Sequence, residues 1–216
     1  MKRIVFATGN SGKLREASEI LGGAFELVTP AQSGINEDIP ETGTSLRANS
    51  LQKAQYIYDH TGGADCFADD TGLEVEILGG APGIYSARYA GSSKSFTANM
   101  DKLLREMDLQ ETEASIAREF GIDTVHATRR ARFRTVVTLI LNGEKHFFEG
   151  VMEGRISRVK AGNGGFGYDP VFIADEYPDK TVAELDDDTK NAISHRGKAL
   201  RAMAEFLNSE AVQATL

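Results

Sequence analysis

The sequence predicts an α/β fold built on a mixed sheet, and three observations lead there. Short apolar runs alternate with helix-period segments through the first half of the chain, as in strands joined by helical crossovers. Two long strand-like runs later flank Asn142-Gly143, residue types that favour the positive φ angles of a type I′ hairpin turn. A sheet holding both crossovers and a hairpin contains parallel and antiparallel neighbours. The 216 residues contain no repeat, low-complexity tract or Pro/Ser-rich linker, so they are read as one domain spanning 1–216.

Each element follows from local pattern. KRIVFA (2–7) is a short apolar run that reads as a first strand and is too short for the core of a signal peptide. TGNSGK (8–13) follows, then a helix with Leu14, Ala17 and Leu21 on one face. FELVT (25–29) is a second strand, and residues 31–43 are turn-rich and acidic, with Glu37, Asp38 and Glu41. A helix is expected from Thr44 to about Tyr58, with Asn49 and Lys53 four apart on a shared face. CFADDTGLEV (66–75) reads as a strand ending near Asp69, a turn at Thr71-Gly72 and a second apolar run, LEVEIL (73–78).

Beyond the glycine-rich GGAPG (79–83), Phe96, Met100, Leu103, Leu104 and Met107 mark an amphipathic helix. Residues 110–128 are polar and carry no assignment beyond a surface or dimer-contact segment. ARFRTVVTLIL (131–141) and EKHFFEGVM (144–152) form the hairpin, and the glycine loop GNGGFGYDP (162–170) leads into a strand at VFIA (171–174). Leu200, Met203, Ala204 and Leu207 stripe the last helix.

Composition narrows the function. A net charge of −8 disfavours binding of a nucleic-acid polymer, which needs a basic face, but leaves room for a small anion held by local cations. Arg129, Arg130, Arg132 and Arg134 form the one basic cluster, and because Arg130, Arg132 and Arg134 alternate with Ala131, Phe133 and Thr135 it reads as the wet face of a strand. No apolar run approaches the roughly 18–20 residues of a membrane span. Cys66 is the single cysteine, which fits a small buried hydrophobe in a reducing, cytoplasmic setting.

Four stretches could carry chemistry. TGNSGK sits between a strand and a helix, where backbone N–H groups and Lys13 can hold phosphate oxygens, although an ordinary strand-to-helix turn looks the same. It is not a Walker A loop, because the glycine spacing is short and Leu14 stands where Ser or Thr would bind magnesium. Asp69 and Asp70 are adjacent on a strand, so their side chains point to opposite faces and only one can enter a given pocket. A carboxylate at the carboxyl end of an α/β strand is well placed to hold Mg²⁺, and Glu41 is the best second carboxylate. FGYD (166–169) offers close backbone approach and an aromatic face. Lys190, Ser194, His195, Arg196 and Lys198 crowd before the last helix, where an anionic or keto-bearing ligand could be held. Together these parts suit a nucleoside triphosphate.

In TGNSGK (8–13), ETG with Asn49 and Lys53, ADDTGLEVEILGGAPGIYSARYAG (68–91), GNGGFGYDPVF (162–172) and KNAISHRGKAL (190–200), the chain resembles the inosine/xanthosine triphosphate pyrophosphatases. The blocks occur in the family's order from residue 2 to about 207. The resemblance implies a two-lobed α/β fold with a long mixed sheet flanked by helices, a cleft between the lobes, a homodimer and Mg²⁺ dependence. It implies that Thr8, Gly9, Asn10, Ser11, Gly12, Lys13 and Lys53 hold the phosphates. Asp70 would be the catalytic base and a metal ligand, with Glu41 as the second metal carboxylate, while Asp69 supports the loop from the other face. Thr71, Phe166, Gly167, Tyr168, Asp169, Lys190, His195 and Arg196 would bind substrate, the last two near the purine. The implied reaction releases pyrophosphate from ITP, dITP or XTP.

The sequence departs from the family at Thr71, where serine is common in bacterial members, at Ala48, where a glutamate often stands, and in the length of 110–128. The alternatives are a Maf-type pyrophosphatase acting on modified pyrimidine or methylated nucleotides, and a nucleotide-binding sensor without catalysis.

Overall fold

The structure is a computed structural model that describes residues 2–122 and 128–214. Its strands are β1 (Lys2–Phe6), β2 (Phe25–Val28), β3 (Cys66–Val75), β4 (Pro82–Gly83), β5 (Arg130–Leu141), β6 (Glu144–Ile156) and β7 (Phe172–Ala174). The helices are α1 (Ser11–Leu21), α2 (Leu46–His60), α3 (Phe96–Glu119), α4 (Asp187–Ile193), α5 (His195–Leu207) and α6 (Glu210–Gln213). Among the described residues the strands form a seven-stranded mixed sheet of order β2-β1-β3-β5-β6-β7, with β4 alongside β3. No described helix is long and apolar enough to cross a membrane. The chain divides into two compact units, the first Met1–Asp70, Thr135–Val151 and Ser194–Leu216, the second Thr71–Arg134 and Met152–Ile193.

In the first unit β1 pairs in parallel with β2, from Lys2↔Phe25 to Val5↔Val28, and with β3 at Val5↔Cys66 and Phe6↔Phe67. Strand alternation sends Ile4, Phe6 and Phe67 into one core with Ala17 and Leu21 of α1 and Leu200 and Met203 of α5. The Phe6 and Phe67 rings stack there with centroids 4.2 Å apart. Val5, Ala7, Cys66 and Ala68 enter a second core with Ala54 and Ile57 of α2. Each fully buried side chain of this size contributes roughly 1.5–3 kcal/mol, so α1 and α5 are fastened to one face of the strands and α2 to the other. Burial pushes the Cys66 thiol up to about 12, which leaves it protonated and inert, as its apolar surroundings demand. Gly150 of β6 lies against α5 so closely that a Cβ would collide with the His195 carbonyl oxygen, and this contact seats the start of α5 on the sheet.

In the second unit Met100, Leu103 and Met107 of α3 pack with Leu73, Val75, Phe133, Met152 and Phe172. At the hairpin between β5 and β6, which falls in the first unit, Asn142 (φ 51°) and Gly143 (φ 83°) both take positive φ, as a type I′ turn requires. Arg130, Arg132 and Arg134 form the wet face expected, whereas Arg129 is largely buried, its Nε donating to the Ile156 carbonyl oxygen at 2.9 Å. Arg130 forks onto Asp175 at 2.8 and 2.9 Å, and Arg132 Nε donates to Glu74 Oε2 at 2.7 Å.

Two sequence expectations are corrected. Strand β3 does not end at Asp69, and Thr71-Gly72 is not a turn: the strand runs unbroken from Cys66 to Val75. The registered pairing with β1 stops at Phe6↔Phe67, and β3 continues until it pairs antiparallel with β4 at Leu73↔Gly83. Burial of Leu73 and Val75 in the second unit's core keeps the chain extended through the polar middle. The second correction concerns 110–128. Helix α3 continues to Glu119, held by Glu111, which accepts from Arg129 Nη1 at 3.1 Å and Arg158 Nη1 at 2.8 Å. Residues 123–127 of that segment lie outside the described residues.

Candidate active site

The 8–13 loop is organised by Asn10, the N-cap of α1, whose Oδ1 accepts from Gly12 N at 2.8 Å and Lys13 N at 3.1 Å. Thr8 Oγ1 in turn accepts from Asn10 N at 3.1 Å. Two of the N–H donors that the loop could turn toward an anion are thus occupied by its own cap. Gly9, Asn10, Ser11 and Gly12 are exposed, while Lys13 reaches inward. Its ammonium donates to Asp69 Oδ1 at 2.9 Å and Oδ2 at 2.7 Å.

Asp69 and Asp70 take opposite faces of β3, as strand geometry dictates. Asp69 faces α1 and α5: besides Lys13, Arg196 Nε donates to its Oδ2 at 3.2 Å, and Arg196 Nη1 donates to Glu16 Oε2 at 3.1 Å. Asp69 is only 1% exposed. Burial alone would raise its pKa, but the charges of Lys13, Arg196 and Lys53 outweigh this and hold the carboxyl below the ordinary carboxylate range. Asp69 is therefore a permanent anion whose place is fixed by two cations.

Asp70 faces α2. Asn49 Nδ2 donates to its Oδ2 at 3.1 Å, and Lys53 Nζ, one helical turn further on, donates to its Oδ1 at 3.4 Å. The same ammonium donates to Glu41 Oε1 at 2.5 Å, so one cation joins both acidic residues named from the sequence. Burial is the largest influence on Asp70 and raises its pKa; Glu41 and Asp69 push the same way, while Lys53 and Asn49 oppose them. For Lys53 burial works against the charge, but Asp69, Asp70 and Glu41 overcome it and raise the pKa. The first unit thus presents a neutral-to-acidic patch in which the adjacent aspartates are held by different partners.

Ser194 caps α5, its Oγ accepting from Gly197 N at 2.9 Å, and places His195 and Arg196 in the helix's first turn. His195 is half-buried and Arg196 is buried. Arg196, expected near the purine, has Nε and Nη1 turned to Asp69 and Glu16 instead.

In the second unit, Asp169 organises the FGYD loop. Its Oδ2 accepts from Phe166 N at 2.9 Å and from Lys190 Nζ of α4 at 2.6 Å. Gly165 (φ 71°) backs onto that carboxylate, leaving no space for a side chain. Tyr168 is buried and its hydroxyl donates to the Ser86 carbonyl oxygen at 2.8 Å, so it is not a free stacking face. Phe166 is the open ring: it is 50% exposed, with Lys190 Nζ 5.1 Å from its centroid. Thr71 is half-buried and Gly167 is half-exposed beside Phe166.

A chain with these parts can be compared with known proteins. The sequence model of the Ham1 family matches residues 4–206. The chain belongs to the Ham1 family. It is 45% identical over 207 residues to the dITP/XTP pyrophosphatase of Porphyromonas gingivalis, covering 96% of this chain and 98% of that protein. It is 39% identical to the dITP/XTP pyrophosphatase of Caldanaerobacter subterraneus, again with 96% of each chain covered. Among solved structures, a HAM1 protein from Coxiella burnetii superposes with a TM-score of 0.84 at 35% identity, over 96% of this chain and 98% of that one. The Staphylococcus aureus Ham1 protein gives 0.81 at 35% identity, over 95% and 98%.

Sequence reasoning passed over Glu16 and gave Asn49 no role. Glu16 had a usable signal, since it lies three residues after Lys13 on α1 and so shares its face. Asn49 had one too: an amide one turn before a lysine at the start of a helix.

Proposed function

We propose that this chain hydrolyses deaminated purine nucleoside triphosphates (ITP, dITP and XTP) to the monophosphate and pyrophosphate, acting as one catalytic domain over 1–216. The observation that carries this reading is Lys53 joining Glu41 and Asp70, in a chain related along nearly its whole length to proteins named for that reaction. In the overall change a water oxygen bonds to the α-phosphorus and the bond from that phosphorus to the bridging oxygen breaks. Pyrophosphate leaves with the bond's electron pair, and the water gives up a proton.

The Asp70 carboxylate is the group assigned to take that proton. Lys53 and Lys13 supply fixed positive charge for the triphosphate oxygens, which carry the growing negative charge. Asp69 keeps Lys13 in place, and the exposed 8–12 loop contributes polar contacts once the phosphates compete for its N–H groups. Thr71, Phe166, Gly167, Tyr168, Asp169, Lys190 and His195 are assigned to the nucleoside, with Phe166 the ring for base stacking and Tyr168 and Asp169 shaping its loop. Arg196 is assigned to the purine side through its neighbours rather than as a free donor.

The donor set suits Mg²⁺. Asp70 and Glu41 are hard oxygen donors already drawn to a single positive charge. The described residues hold no group of three or more His, Cys, Asp or Glu placed for a metal, so a bound ion would draw its other ligands from phosphates and water, as Mg²⁺ does. When bound by Asp70 and Glu41, Mg²⁺ supplies positive charge against the phosphoryl oxygens. We further assign the chain to the cytoplasm, in keeping with its lone buried thiol, and to a homodimer, as the family resemblance implies.

The test is product analysis over a panel of ITP, dITP, XTP, ATP, GTP, dTTP and UTP, with and without Mg²⁺. Pyrophosphate is expected from ITP, dITP and XTP, with ATP slower by about 10⁴-fold, since a site that donates to a 6-keto oxygen leaves buried donors unpaired against a 6-amino group. Preference for ATP, or for dTTP and UTP, contradicts the reading, and tight binding without pyrophosphate makes the protein a sensor.

A further inference from the structure

Asn49 is a buried amide, 2% exposed, with both ends of its side chain in use. Its Oδ1 accepts from Gly43 N at 2.7 Å and its Nδ2 donates to Asp70 Oδ2 at 3.1 Å. Lys53 meets the same two segments, Glu41 and Asp70 Oδ1. Each oxygen of Asp70 therefore has one partner on α2, and the 41–43 loop is tied to α2 by the same two side chains together with Gln52, whose Oε1 accepts from Thr42 N at 2.9 Å. Gly43 is suited to this contact: a Cβ there would lie 2.7 Å from Asn49 Oδ1, so any side chain would push the loop off the amide.

The attachment of α2 does not depend on Asn49. Ser45 caps the helix, its Oγ accepting from Ala48 N at 3.1 Å. Leu46, Ala54 and Ile57 are buried along it. Ser50 Oγ donates to the Ala68 carbonyl oxygen at 2.9 Å and is hydrogen-bonded with Thr138 Oγ1 at 2.8 Å, which fixes the helix on β3 two residues before Asp70. A polar side chain buried beside a carboxylate, on a helix already docked by other contacts, is placed to aim that carboxylate.

We infer that Asn49 is a positioning residue: it sets the rotation of the Asp70 carboxylate, keeping Oδ2 turned to the protein and Oδ1 toward Lys53, and it holds the Glu41 loop in register with it. This rests on the proposed pyrophosphatase reading for its kinetic consequence, but the geometric consequence stands alone. Asn49→Asp separates the two bonds. It keeps an oxygen for Gly43 N–H, loses the donor to Asp70 and sets a second negative charge beside it.

The experiment compares wild type, Asn49→Asp, Asn49→Ala and Ser50→Ala. Outer partners of reacting or metal-binding carboxylates typically carry 10–100-fold in activity, so kcat on ITP is expected to fall about 10–100-fold in both Asn49 variants. KM should stay within about threefold. Backbone amide exchange at Gly43 should accelerate in Asn49→Ala and not in Asn49→Asp. Ser50→Ala should lower Tm and keep kcat. In metal-free protein the carboxyl ¹³C resonance of Asp70 should move in both Asn49 variants and stay in Ser50→Ala. Turnover of Asn49→Asp within twofold of wild type overturns the inference, as does an unmoved Asp70 resonance. Wild type that releases no pyrophosphate sinks the proposed function instead, and the ¹³C comparison still decides the role of Asn49.

Discussion

Asp70→Asn lowers kcat on ITP by about 10²–10⁴-fold, the range over which a positioned general base contributes to a reaction, and leaves the protein folded. The substitution keeps the size of the side chain and an oxygen that can accept from Asn49 Nδ2, so the packing of β3 against α2 persists. It removes a charge that burial disfavours, as the raised pKa of Asp70 records, so Tm should hold or rise. Steady-state kinetics paired with calorimetry makes the check. Loss of turnover without loss of Tm supports the role assigned to the carboxylate, whereas turnover within threefold of wild type removes Asp70 from the chemistry.

Lys53→Met has the second large effect, on activity and stability together. Methionine fills the space of the lysine stem but leaves Glu41 and Asp70 without their shared cation. Breaking a buried ion pair from one side costs roughly 3–5 kcal/mol, and the lower end applies because Glu41 is 38% exposed. At about 2–4 °C per kcal/mol for a chain of this size, the expected Tm loss is roughly 6–12 °C. The loss depends on pH with a definite sign. Without the ammonium, nothing of like strength opposes the burial that already raises the Asp70 pKa, so the folded state binds more protons there than the unfolded chain. The variant is therefore least destabilised at low pH and loses stability as pH rises through the raised Asp70 value. Its kcat on ITP should fall by orders of magnitude as well, because the phosphate oxygens lose a fixed charge. Calorimetry at pH 5 and pH 8 tests the sign: a larger Tm loss at pH 5 contradicts the pairing described for Lys53.

Much of this could be read in the amino acids, and the misses have physical causes. The Asn142-Gly143 turn was legible because positive φ at both central positions restricts the residue types sharply. The opposite facing of Asp69 and Asp70 was legible because a strand has a period of two. The course of β3 was not. Two aspartates, a threonine and a glycine carry turn chemistry locally, and only tertiary partners keep them extended: Lys13 and Arg196 on one side, Asn49 and Lys53 on the other. The length of α3 was missed for the complementary reason. Beyond Met107 the helix has no buried apolar stripe, and Glu111, one turn further on, is held by ion pairs with Arg129 and Arg158.

In the candidate site, residue types suggested the chemistry while the pairings stayed hidden. Nothing in TGNSGK says that Lys13 points at Asp69, 56 residues away, or that Asn10 uses its own loop's N–H groups. Arg196 next to His195 looked like a ligand-facing pair, but Glu16 and Asp69 turn it inward. Long-range salt bridges have no local signature, so sequence can nominate a charged residue without naming its partner.

The most direct measurement is hydrolysis of ITP in H₂¹⁸O with mass analysis of both products. With Asp70 serving water that attacks the innermost phosphorus, the label is expected in the monophosphate and absent from pyrophosphate. Label in pyrophosphate would place the attack on the β-phosphorus, and label in orthophosphate would mean stepwise cleavage from the outer end. Either of those results would contradict the account.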